Sequence, residues 1–492
     1  MARNGRSPGI LVPMILLSFS LVVLAAMGPP VVQEGEGAAR AGSGASPRET
    51  VAPSNVLLVI LDDVGLDAIG CYPGANDDAK TPCMDRLSAE GVRFETVWGY
   101  PACSPTRATI MSGQYGFRTG IGSIVKLNND DPGLGLEVTC LPEALAEKSK
   151  GVRTAFLGKW HLSGVDHGPD HAREQGFEHF RGTVSNLGRK GRDDPYFHYD
   201  EIVDGKEQKR DAYATTAVTD DALRAIERFG DERWLVVASY HAAHGPLHAP
   251  PKELRTIELS GSPKKTRHQH FAAMVEALDH EIGRLWDSLP EATRARTTIV
   301  IVGDNGGASG QMPDELRLGD ADEKALAGKG SLSESGIEVP LIVAGAGVSD
   351  PGRAVSHLVN TTDLFDTTLD LLLGVAPEGT PDSVSFRSYL ASAAAPPVRE
   401  WIFSERFHRT NKNTKAPASS RLAIREQRYK LIEDSLGGGQ RLYDLESDPR
   451  ESSNLLKGNE LDEGATAALA RMTALLEGPL GKDRKAALAG LQ

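Results

Sequence analysis

From residue 55 onward the chain alternates short, unbroken apolar runs with longer stretches of helical period. Asn55–Leu61 (NVLLVIL) is a continuous run of β-formers that stops at Asp62, Asp63 and Gly65, the pattern of a strand buried on both faces and feeding a loop. Similar runs occupy residues 153–157, 234–240, 297–302 and 339–344, and helical periodicity fills 214–229 and 270–289 between them. Strands alternating with helices predict an α/β fold: a large, mostly parallel mixed sheet sandwiched by helices. Ligands in such folds gather beyond the carboxyl ends of the strands.

Near residue 375 the pattern changes. Gly and Pro cluster around 377–381, and shorter strands are expected at 401–405, 422–425, 429–432 and 441–443, with Gly437, Gly438 and Gly439 as a turn. A helix over 461–476 would close this part. The expected division is a catalytic domain over 54–380 and a C-terminal subdomain over 381–492, built on a short antiparallel sheet and a helix. Upstream, residues 29–53 are rich in Gly, Ala, Ser, Pro and Glu without apolar period, as in a flexible linker. Arg3 and Arg6 precede an apolar stretch over 10–26, so residues 1–28 read as an export signal or, left uncleaved, a membrane tether. The expected location is periplasmic, secreted or envelope-anchored.

Charge and cysteine usage narrow the functions. Acidic residues outnumber basic ones, 67 to 54, and the net charge of -13 excludes a general electrostatic footprint for nucleic acid. An anionic substrate therefore needs a local basic pocket. The 4 cysteines are too few for a disulfide scaffold, although Cys71 and Cys83 could bridge, and neither they nor Cys140 has a pairing fixed by sequence.

The sharpest local feature is Cys103-Ser104-Pro105-Thr106-Arg107, then a short amphipathic run to Met111 and Gly113. Pro105 suits the first turn of a helix, which puts Cys103 at a helix N-terminus, an end that attracts anions, with Arg107 one turn on. Alone, such a cysteine is ordinarily a buried structural thiol. Yet Cys-x-Pro-x-Arg followed by Ala-Thr-Ile-Met-Ser-Gly resembles the signature of the formylglycine-dependent sulfatases, arylsulfatase-like members of the alkaline phosphatase superfamily. The resemblance runs from residue 55 to about 455 with its motifs in the family's order. It implies that a formylglycine-generating enzyme oxidises Cys103 during export and that the hydrated aldehyde attacks a sulfate ester of a small molecule or carbohydrate.

Other segments fit that frame. Asp62 and Asp63 end one strand, and Asp304-Asn305-Gly306-Gly307 ends the run 297–303, so two strands deliver oxygen donors to one sheet edge. Asp62, Asp63, Asp304, Asn305 and an oxygen of modified Cys103 would form a hard, oxygen-only site for Ca²⁺ or Mg²⁺ rather than Zn²⁺; the resemblance favours calcium. Gly158-Lys159-Trp160-His161 looks like the family's Gly-Lys-Trp-His-Leu-Gly, with Ser163 before Gly164 as a departure. In the loop from His241 to Pro250, His244 matches the family's histidine, while His241 and His248 are expected to be supporting or surface residues. Gly328-Lys329 begins a segment similar to the family's Gly-Lys-x-x-Leu-x-Glu-Gly-Gly-x-Arg-Val-Pro, in which Ser335 replaces glycine and Glu338 stands where arginine is usual. The resemblance assigns catalysis to Cys103, Arg107, Lys159, His161, His244 and Lys329. Arg107, Lys159 and Lys329 would neutralise sulfate, His244 would protonate the leaving oxygen, and His161 would deprotonate the second hydroxyl. Substrate-shaping loops are expected at 166–190, where Ser185 or Asn186 is a candidate contact, and at 308–327.

Two other functions remain open at this point: a phosphonate monoester or phosphodiester hydrolase of the same superfamily, and a catalytically silent binding protein that keeps the fold.

Overall fold

The computed structural model describes residues 55–490 except 77, 128–130, 188–193, 308–327, 375–379, 409–419, 435–438 and 459. The export segment, the linker, the loop 308–327 and most of the 377–381 cluster therefore lie outside the described residues. Among the described residues no helix is long and apolar enough to cross a membrane.

Among the described residues, twelve strands precede the C-terminal part: β1 (Asn55–Leu61), β2 (Gly91–Phe94), β3 (Val97–Trp98), β4 (Val152–Lys159), β5 (His179–Thr183), β6 (His198–Val203), β7 (Lys206–Asp211), β8 (Arg233–Ser239), β9 (Thr297–Gly303), β10 (Leu341–Gly345), β11 (Arg353–Val355) and β12 (Val359–Asn360). Ten of them form one sheet in the order β11-β2-β10-β9-β1-β8-β4-β5-β6-β7, and β12 pairs with β3 separately. The centre, β9-β1-β8-β4-β5, is parallel; β10 runs antiparallel to both its neighbours, and β6 and β7 are antiparallel additions at the far side. The sheet is thus mixed around a parallel core.

The unbroken apolar run of β1 has a simple cause. Strand side chains alternate between faces, so Leu57, Val59 and Leu61 enter one hydrophobic core and Val56, Leu58 and Ile60 enter the other. The helices Ala214–Phe229 and Arg267–Asp287 bury their apolar faces in the first core. The helix Cys103–Ser112, buried along its whole length, supplies Ala108, Ile110 and Met111 to the second. It stops at Gly113, whose φ of 67° is the left-handed conformation that ends helices and favours glycine.

Register fixes which residues meet at the sheet edge. Leu61 lies beside Gly303, Ile60 beside Ser239, and Gly158 beside Ser239. The residues that follow, Asp62, Asp304, Lys159 and the loop from Tyr240, emerge together at the carboxyl edge of the parallel core.

The C-terminal strands β13 (Ile402–Phe407), β14 (Ser420–Arg425), β15 (Tyr429–Asp434) and β16 (Gly439–Asp444) make an antiparallel sheet in chain order. The helix Glu463–Glu477 covers it through Ala465, Ala468 and Met472, and its N-cap Asp462 accepts the N–H of Ala465 at 2.7 Å. A further helix, Pro479–Gly490, follows. All four cysteines are free thiols, so Cys71 and Cys83 do not bridge.

Candidate active site

The carboxyl edge of the parallel core gathers every residue expected there. Asp62 is fully buried; Lys159 Nζ donates to its Oδ2 at 2.5 Å, and Arg107 stands 3.7 Å from the same oxygen. Asp63 sits at φ 61°, a conformation rare for a side chain larger than glycine, and its N–H donates to Asp304 Oδ1 at 3.2 Å. Such backbone strain collects at functional sites. The Asp63 Oδ1 oxygen accepts from Asn305 Nδ2 at 2.8 Å and from Lys329 Nζ at 2.5 Å.

Cys103 begins its helix with its thiol buried, and Lys329 Nζ lies 3.0 Å from Sγ. Burial pushes the thiol up to about 11 in spite of Lys159 and Lys329 nearby, so an unmodified Cys103 holds its proton at neutral pH. Arg107 reaches across the site. Its Nε and Nη2 clasp Asp304 Oδ2 at 3.1 and 2.9 Å, and its Nη1 donates to Ser239 Oγ and to the Lys159 carbonyl. Arg107, Lys159 and Lys329 each bond a buried carboxylate; Arg107 and Lys159 are closed in, whereas Lys329 and His244 keep 14% and 23% of their side chains exposed.

His244 accepts no strong partner at Nε2, which stands 3.9 Å from Asp63 Oδ2, while its Nδ1 lies 2.7 Å from the Gly245 carbonyl. That bond assigns the proton to Nδ1 and leaves Nε2 for exchange. The Tyr196 hydroxyl lies 2.6 Å from the carbonyls of both His241 and His244 and pins the loop. His161 is also in a left-handed conformation, φ 59°, with its ring buried and Nδ1 without a partner among the described residues. Burial, with Lys159 and Arg107 beside it, holds His161 well below the ordinary histidine range and so neutral. His241 and His248, expected as supporting or surface residues, are both buried: His241 Nε2 bonds Thr183 Oγ1 at 2.9 Å, and His248 stacks on Tyr196.

The donor set suits a hard cation. Asp62 Oδ1 and Asn305 Oδ1 are buried acceptors with no partner among the described residues, and one oxygen or sulfur from each of Asp62, Asp63 and Cys103, with a His244 nitrogen, falls within 4.8 Å of the others. Buried acceptors are rarely left without donors, and oxygen atoms of this kind are what Ca²⁺ and Mg²⁺ take. The charges agree: Asp62, Asp63 and Asp304 balance Arg107, Lys159 and Lys329 one for one, so a divalent ion leaves the pocket positive toward an anion. Burial and the like charge of Asp62 push Asp304 up to about 6 although Arg107 clasps it, a crowding that a cation relieves.

Beside His161 opens a cavity of about 620 Å³, lined by Lys126, Thr183, Ser185, Asn186 and Tyr199 among others. Ser185 and Asn186, the candidate contacts, thus border this cavity. Lys126 and Tyr199 escaped the sequence reading because no motif surrounds them; only folding brings the segment of Lys126 and strand β6 to one wall.

Comparison with known proteins bears on the whole arrangement. The Sulfatase family model matches residues 54–375, more than half of the 492-residue chain, and the model of the N-sulphoglucosamine sulphohydrolase C-terminal region matches 323–477. Arylsulfatase J of Mus musculus is 27% identical over 339 residues, covering 66% of this chain and 53% of that protein. N-acetylgalactosamine-6-sulfatase of Canis lupus familiaris is 27% identical over 350 residues, covering 66% and 63%. The chain thus spans between about half and two thirds of these two relatives' length. Arylsulfatase A of Homo sapiens is 25% identical over 455 residues, covering 82% and 84%. Among solved structures, Ps i-CgsB in complex with k-i-k-neocarrahexaose superposes with a TM-score of 0.70 at 23% identity, covering 86% of this chain and 92% of that one. BT4656 in complex with D-glucosamine-2-N,6-O-disulfate gives a TM-score of 0.66 at 20% identity, covering 88% and 98%. These structures share the fold. The chain belongs to the sulfatase family.

Proposed function

We propose that the chain hydrolyses a sulfate ester to an alcohol and sulfate, with Cys103 oxidised to formylglycine and a calcium ion held by Asp62, Asp63, Asp304 and Asn305. The observation that carries this reading is the placement of Cys103 Sγ, at a helix start, against Lys329 within a pocket of carboxylates. The sulfur marks where the oxygen of the modified side chain would stand. When bound, the ion supplies positive charge against the sulfate oxygens, and the modified residue supplies two geminal hydroxyls, one to attack sulfur and one whose deprotonation frees the sulfate.

The chain's own side chains do the rest. Lys329, at the open side, lies close enough to Cys103 to bind a sulfate oxygen and to steady the leaving oxygen. His244, oriented through Nδ1, leaves Nε2 bare to take the proton that the attacking hydroxyl loses and to hand it to the leaving oxygen, a transfer worth about 10² to 10⁴ in rate. His161, neutral and with an unpartnered Nδ1, can take the proton of the second hydroxyl. Arg107 and Lys159, bonded to Asp304 and Asp62, add positive charge that would help neutralise the sulfate.

The hydroxyl- and amide-bearing wall of the cavity favours a sulfated carbohydrate, in keeping with the sugars bound in the two solved structures. Export is part of the proposal, since the oxidation of Cys103 accompanies it. Turnover of aryl sulfates by the parent and by Cys103→Ser tests the reading. The variant is expected to release at most one equivalent of alcohol per chain; multiple turnovers at the parent rate would overturn it. Faster turnover of an aryl phosphonate than of the matching sulfate would favour the phosphonate hydrolase instead.

A further inference from the structure

The segment that carries Lys329 departs from the family pattern at Ser335 and Glu338, and both departures have a place in the structure. The loop from Gly328 to Gly336 closes on itself through serines. Ser331 Oγ donates to the Gly328 carbonyl at 2.9 Å, Ser331 and Ser333 hydroxyls meet at 2.6 Å, Ser333 and Ser335 at 2.9 Å, and the Gly328 N–H donates to Ser335 Oγ at 3.0 Å. The same loop abuts the carboxylate edge. The Lys329 N–H donates to the Gly307 carbonyl at 2.9 Å, and a Cβ on Gly306 would meet the Ser335 carbonyl at 1.8 Å. Lys329 and Asn305 are thus seated by one compact loop.

What holds that loop comes from the C-terminal sheet. From β13, Arg406 donates to the Gly330 carbonyl. From β15, Lys430 bridges Glu334 Oε1 at 2.8 Å and Glu451 Oε1 at 2.7 Å, its ammonium 4.9 Å from the Trp98 ring centroid. From β14, Arg425 pairs with Glu334 Oε2 at 2.6 Å and stands 3.7 Å from Glu338. The Trp98 indole donates to Glu334 Oε2 at 3.1 Å, and the Glu334 N–H donates to Glu451 Oε2 at 2.7 Å. Glu334, Lys430 and Glu451 are buried, where a charge persists only with good partners. Glu338 thus faces a cation from another part of the chain.

We propose that the four-stranded sheet is a positioning element for Lys329: Arg406 fixes Gly330, Lys430 with Arg425 fixes Glu334, and the loop between them presents the ammonium to Cys103 and Asp63. The sheet then acts on the reaction without touching the substrate. The catalytic half of this inference rests on the sulfatase reading; the structural half does not.

Two measurements on the full-length protein separate them. The first is the rate at which acetic anhydride modifies Lys329, read by peptide mass spectrometry with buried Lys159 as internal reference. The second is kcat and KM on aryl sulfates of rising leaving-group pKa. In Lys430→Met, and in Arg406→Met as the variant that leaves the buried carboxylates paired, Lys329 should acetylate at least about tenfold faster while Lys159 does not change. With KM held, kcat should fall by about 10²-fold, as an ångström-scale misplacement of a catalytic group does, and most for the poorest leaving groups. Lys430→Arg should restore most of both. Folded variants whose Lys329 acetylates at the parent rate would overturn the proposal. A parent without sulfate ester hydrolysis would sink the functional reading and leave the acetylation result to decide the positioning.

Discussion

The cluster at the sheet edge and the cluster around Glu334 both bury carboxylates against cations, yet they finish differently. Around Glu334, both carboxylate oxygens of Glu334 and the Oε2 oxygen of Glu451 accept hydrogen bonds, while Glu451 Oε1 lacks one but stands 2.7 Å from the Lys430 ammonium. At the sheet edge, Asp62 Oδ1 and Asn305 Oδ1 are buried and unmatched; left-handed backbones occur in both clusters, at Asp63 and His161 here and at Glu451 there. A closed cluster fixes two parts of a chain together; one that opens to the outside can take a ligand. Burial and charge alone do not separate the two roles: Lys329 and His244 keep 14% and 23% of their side chains exposed, whereas Glu334, Lys430 and Glu451 are closed in.

The largest effects should divide the clusters cleanly. Asp62→Asn leaves Lys159 buried without its carboxylate, a loss of about 3–5 kcal/mol, and should also abolish turnover and calcium binding by titration calorimetry. Glu334→Gln should cost a comparable amount of stability by urea unfolding and still bind calcium. Equal calcium affinity in both variants would erase the distinction.

Next in size is His244→Ala, which removes a proton carrier and no buried ion pair. Its kcat should drop by about 10² to 10⁴ on esters with poor leaving groups, less on p-nitrophenyl sulfate, with the melting temperature nearly unchanged. A uniform drop across leaving groups would remove His244 from the proton transfer.

A pH effect that touches neither turnover nor calcium lies at a buried carboxyl that belongs to neither cluster. Asp279 accepts the N–H groups of Cys83 and Met84 at 3.0 and 2.8 Å, and burial pushes it up to about 7. Below about pH 4 it is protonated folded or unfolded. Between there and pH 7 the unfolded chain loses the proton that the folded chain keeps, so stability falls as pH rises and then levels. Asp279→Asn should flatten that part of the stability profile in urea titrations between pH 4 and 7.

Much of the fold was legible because its signals are local. The strand over residues 55–61 and the helix over 214–229 have the limits their patterns predict, since one is a run buried on both faces and the other presents a clear apolar stripe. The antiparallel direction of β10 was not legible, because an apolar run carries no direction. The hairpin of β6 and β7 was missed for another reason: the sequence of β7, KEQKRD, is polar and almost wholly exposed. The candidate site residues were named from motif and resemblance, and the structure brings them to one sheet edge. Their backbone strain was not readable, nor was the partner of Glu338, since Arg425 comes from the C-terminal sheet and joins this segment only on folding.

The proposed function depends first on Cys103 becoming an aldehyde beside a calcium site. Its most direct test is the mass of the tryptic peptide containing Cys103, from the exported chain produced alongside a formylglycine-generating enzyme, in parent and in Cys103→Ala. The parent peptide should be lighter by the difference between a thiol and an aldehyde, in proportion to its specific activity. An intact thiol in a preparation that hydrolyses sulfate esters at full rate would contradict the account.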